Sequence, residues 1–109
     1  MGAFLFTVGL GLLVCVLGVL NMMGNISTIH RYHRAKVSEE NRKPFGRLVG
    51  LGTLIIGVAL MIYGTLLLIA DKAGVDLLVI FGNAILILGI VAGAAISFYA
   101  MKKYNGSIF

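Results

Sequence analysis

His30 and His33 are the pair of side chains in this sequence best placed for chemistry, because a spacing of three residues can bring both imidazoles onto one face of a helix. Tyr32, Glu39 or Glu40 could complete a metal site around them. Metal sites need three or four converging ligands, however, so the pair reads as interfacial histidines beside lipid headgroups, with no metal and no cofactor expected. A second use is pH sensing. Lowering the pH toward about 6 charges both rings and tightens binding to anionic lipid.

The stretch that holds this pair, Asn25 to Arg47, carries six of the nine Lys and Arg residues, two of the four acids and the single proline. Its flanks are too apolar for water. The 109 residues are 60% hydrophobic and 12% charged, with a mean hydropathy of +1.04. A bilayer crossing needs roughly 20 apolar residues, and three runs reach that length. Ala3 to Leu20 extends through Gly24 without a charge, and Leu48 to Ala70 and Leu77 to Met101 contain no Asp, Glu, Lys, Arg or His. The expected fold is an all-α membrane protein, a single domain over 1–109. Its helices are placed at about 3–24, 46–70 and 77–101, with a basic, partly helical loop at 25–45, a short loop at 71–76 and a tail at 102–109.

Charge asymmetry sets the expected topology. The first connection holds Arg31, Arg34, Lys36, Arg42, Lys43 and Arg47, and the tail adds Lys102 and Lys103, whereas the second connection sets one Lys against two Asp. By the positive-inside rule the N-terminus is outside, and the first loop and the C-terminus are cytoplasmic. The first run lacks a basic n-region and a small-residue cleavage site, so it is expected to stay as a helix. Cys15 falls mid-span as a small packing residue. The net charge of +5 lies at the membrane ends, which points to anionic headgroups and not to nucleic acid.

Within the loop, Ile26, Ile29, His33 and Val37 recur at helical spacing, as in an amphipathic segment along the headgroups. Ser38 can cap a further turn begun by Glu39 and Glu40. Pro44 suits a first helical turn, so the second membrane helix is expected to begin near Pro44 or Phe45. The six basic residues, Arg31, Arg34, Lys36, Arg42, Lys43 and Arg47, serve as topology determinants and phosphate contacts. A sharper reading makes Arg31, Arg34, Arg42 and Arg47 a partner-docking surface anchored by Tyr32 and Phe45.

Glycine is the informative residue inside the spans. Gly50, Gly57 and Gly64 are seven apart, as are Gly82 and Gly89, and Gly11 and Gly18. Seven residues is close to two turns, so each set lies on one face and admits another backbone. Counted from the outer ends, Thr7, Thr65 and Asn83 lie at depths of about 6, 7.5 and 9 Å, where they could meet as interhelical hydrogen-bonding partners.

Absences bound the function. No ionisable residue interrupts the spans, which disfavours proton-coupled pumps. No catalytic triad pattern, phosphate loop or zinc spacing is present, so no enzyme is expected. The run Tyr32-His33-Arg34, Val37-Ser38-Glu39-Glu40, Arg42, an aromatic, Gly46 and a basic residue before an apolar helix resembles small bacterial three-helix membrane proteins of uncharacterised function. That resemblance covers mainly residues 25–57 and implies a bacterial cytoplasmic-membrane address. Two histidines and Pro44 depart from the pattern. The reading is a non-enzymatic subunit of accessory or immunity type, acting through helix assembly with its own copies or a larger membrane protein. The alternative is a homo-oligomeric channel or facilitator for a small solute, its path lined by Thr7, Thr65 and Asn83. A peripheral enzyme built on the loop ranks third.

Overall fold

The computed structural model describes residues 2–23 and 40–106. The expected amphipathic loop segment, with His30, His33, Arg31, Arg34 and Lys36, lies outside the described residues. Three helices make up what is described: α1 (Gly2–Met22), α2 (Arg42–Ala73) and α3 (Leu77–Ala100), the last running on into a wider π-type turn at Met101–Asn105. All three are long and apolar enough to cross a membrane. Such sequences become helical because a helix satisfies every backbone donor and acceptor within the segment, so the exterior can be wholly apolar.

α2 begins at Arg42, a little before the expected Pro44 or Phe45, and its first backbone hydrogen bond runs from the Phe45 N–H to the Asn41 carbonyl at 2.9 Å. Pro44 therefore sits in the first turn, where its missing N–H breaks no helical bond. The helix also runs past Ala70 to Ala73. Gly74 ends it in a left-handed conformation, φ 69° and ψ 28°, and the Val75 N–H closes on the Ala70 carbonyl at 3.1 Å. This is a Schellman-type stop. Leu78 and Val79 then donate to the carbonyls of Val75 and Asp76 as α3 starts. The expected loop 71–76 is thus reduced to a turn at 74–76.

With 32 residues, α2 is about 48 Å long, and it is the centre of the bundle. α1 packs on one side of it and α3 on another, and no Cα of α1 lies within 8 Å of one in α3. The described chain has two ends: a basic end, with Arg42, Lys43, Arg47, Lys102 and Lys103 all exposed, and a turn end at 74–76.

Candidate functional site

The seam between α1 and α2 is built on glycine. The two helices run antiparallel, so Gly11 and Gly18 on one meet Gly57 and Gly50 on the other at matching seven-residue steps. A Cβ added to Gly11 would lie 2.8 Å from the Gly57 carbonyl oxygen, and one added to Gly57 would lie 2.8 Å from the Gly11 carbonyl oxygen. At the next level, a Cβ on Gly18 would lie 2.8 Å from the Gly50 carbonyl oxygen. Real side chains do not tolerate such distances. Gly64 continues the face with more room, against Thr7 and Val8. Cys15 fits beside Gly57 and points its thiol to the Met61 sulfur at 4.0 Å.

A second seam joins α2 to α3. Gly52 and Gly93 exclude each other's side chains in the same way, and a Cβ on Gly52 would also stand 2.6 Å from Ser97 Oγ. Gly89 accommodates Ala59, and Gly82 lies against the Tyr63 ring and Leu66, 3.3 and 3.6 Å from its would-be Cβ. Two residues along a helix is a rotation of about 200°, so Gly50 and Gly52 face nearly opposite sides at one level. Gly57 and Ala59 repeat the arrangement seven residues later. One period therefore builds both faces of α2.

The basic end is closed by a small core of Phe45, Val49, Ala100 and Met101, with Leu48 and Tyr104 packed on it. Phe45 is 0% exposed and meets the Tyr104 ring edge-on at 6.4 Å between centroids. This removes Phe45 from the expected docking surface: its ring joins the first turn of α2 to the last turn of α3. Lys103 lies over the rings of Tyr99 and Tyr104, at 5.8 and 5.3 Å, a geometry that suits cation–π attraction at an exposed edge. Asn21 and Asn105 are buried at 4% and 2% exposure.

No known family model, curated protein or solved structure matches this chain. Its functional surfaces are accordingly read from its own geometry.

The three polar residues expected to converge do not do so within one chain. Thr7 packs at Gly64, the Thr65 hydroxyl donates to the Met61 carbonyl of its own helix at 2.9 Å, and Asn83 is exposed on α3, which α1 never reaches. Of the basic residues, Arg42, Lys43 and Arg47 stand exposed on the first turns of α2. Among the described residues no three His, Cys, Asp or Glu side chains lie together as metal ligands. An open groove of about 340 Å³ between α2 and α3 is lined by Leu54, Ile55, Val58, Ile62, Ile85 and the backbone about Gly89. It offers dispersion contacts only.

Sequence reasoning missed Gly52. The signal was available: Gly52 and Ala59 are themselves seven apart, and a small residue two positions after both Gly50 and Gly57 marks a second face.

Proposed function

We propose that the chain is a multi-pass integral membrane protein without enzymatic activity, an accessory or immunity-type subunit that works by helix-to-helix assembly in a bacterial cytoplasmic membrane. The observation that carries this reading is the filling of the bundle by backbone-to-backbone contact. Gly11 against Gly57, Gly18 against Gly50 and Gly52 against Gly93 close the helices on each other with no polar passage at those levels, and the apolar runs 3–24, 48–70 and 77–101 hold no Asp, Glu, Lys, Arg or His. What such a molecule offers to others is its outer surface. The basic end faces the cytoplasm, with Arg42, Lys43, Arg47, Lys102 and Lys103 among anionic headgroups and the N-terminus outside. A channel of several copies has less support, because Thr65 already bonds its own helix and Thr7 and Asn83 sit on helices that do not meet.

Ion and small-solute flux through proteoliposomes holding the purified chain tests this choice. The accessory reading expects flux at the level of empty vesicles. Sustained conductance by the chain alone would replace it with the channel. Reporter fusions to the C-terminus check the orientation, with cytoplasmic signal expected.

A further inference from the structure

We infer that Asn83 seats a second copy of this chain against α3, in a parallel dimer across the membrane. This deepens the assembly reading above and rests on it. Asn83 lies six residues into α3, about 9 Å from the helix start, in a helix otherwise free of polar side chains until Ser97. It is exposed, and it makes no side-chain hydrogen bond among the described residues. A carboxamide in hydrocarbon needs a partner, and its short side chain cannot snorkel to the headgroups as Lys or Arg can.

The partner is identified by symmetry and chemistry. Copies inserted with one orientation relate by a twofold axis along the membrane normal, so each residue meets its counterpart at the same depth. A carboxamide carries both donors and acceptors and is complementary to itself. The residues around it are placed for such a pairing. Ile80, Asn83, Ile87, Ile90 and Ala94 follow the alternating three-and-four spacing of a coiled-coil seam. Ile80, Ile87 and Ile90 are 64%, 61% and 43% exposed. A lone Asn in a seam of this kind fixes register and copy number. The groove beside Ile85 lies on the other side of α3 and holds no polar group that would call for a partner.

The test uses the full chain in lipid bilayers, with Cys15→Ala as the background. Dimerisation is followed by energy transfer between labelled copies as protein is diluted into lipid. Asn83→Leu is expected to weaken the dimer about three- to thirty-fold, and Asn83→Gln to retain it. Ile87→Cys is expected to crosslink between copies under mild oxidation, and Ile85→Cys to stay uncrosslinked. Because Asn83 is exposed, its substitution leaves the bundle folded, which SDS-titration of each variant verifies. Equal dimerisation of Asn83→Leu and the parent, or crosslinking through Ile85→Cys alone, overturns this face while leaving assembly through another surface standing. A chain monomeric at every protein-to-lipid ratio overturns the dimer outright. The flux measurement decides the accessory reading independently.

Discussion

Gly52 on α2 and Gly93 on α3 touch so closely that a methyl group added to either would strike the carbonyl oxygen of the other. A hydrophobic driving force between helices vanishes in lipid, where tails are as apolar as leucine. Association then depends on close van der Waals contact, which two glycines maximise. Gly52→Leu should therefore detach α3 from α2 at that level, costing about 3 kcal/mol in SDS-titration of unfolding, at the upper end of ordinary overpacking. Gly9→Leu, with open space around its would-be Cβ, should cost little and serves as the control. Equal midpoints for the two variants would contradict the seam.

Gly57→Leu tests the other face. Its would-be Cβ meets the Cys15 sulfur and the Gly11 carbonyl oxygen within one chain, so the expected result is a destabilised monomer fold. A loss of about 3 kcal/mol in unfolding, with dimerisation affected only through that loss, would separate it from Asn83→Leu. If Gly57→Leu instead dissociated copies with no change in the unfolding midpoint, this glycine face would belong between chains.

Phe45→Ala should loosen the basic end. The ring is fully buried among Val49, Ala100, Met101 and Tyr104, and truncating such a residue costs about 3 to 5 kcal/mol. Hydrogen exchange of residues 100–105 should accelerate, because the π-type turn loses the group it packs on. Phe45→Leu, which keeps most of the volume, should recover the larger part of that protection.

The turn end depends on one backbone conformation. Gly74 at φ 69° is in the region where a Cβ meets the following carbonyl, so Gly74→Ala should cost about 1 to 2 kcal/mol. Gly74→Asn should cost less, since Asn visits this region more readily. Thermal unfolding in detergent distinguishes the three proteins.

Thr65→Val should be nearly silent, within about 0.5 kcal/mol, because the hydroxyl serves only the Met61 carbonyl of its own helix. A marked loss of stability or of any solute flux would restore Thr65 to a shared polar contact.

Much of the architecture was legible in the sequence, because the signal for a spanning helix is simple: apolar length without charge. The three helices and the glycine faces rest on that signal and on a period of two turns. Less legible were the boundaries of α2. Pro44 reads as a start, yet a helix can begin a turn earlier when the proline occupies a position whose N–H is unused, and Arg42 and Lys43 are good helix formers in water. Which glycine meets which helix was also hidden, since Gly52 breaks the Gly50 series and falls on the opposite face. Depth counting brought Thr7, Thr65 and Asn83 to similar levels but said nothing about azimuth. It is azimuth that keeps them apart: α2 stands between α1 and α3.

That central position also shapes how the helices can assemble. α1 is made first and, among the described residues, packs on α2, which begins at Arg42, whereas α2 and α3 are joined directly by the turn at 74–76. Closing so short a turn costs little chain entropy. The second and third helices therefore form the natural hairpin, while the Gly50 and Gly57 face that receives α1 lies on α2 alone and is complete without α3. A ribosome pausing before α3 would hold the chain at a stage where α1 and α2 can already join but the basic end cannot close, since Phe45 still lacks Ala100, Met101 and Tyr104.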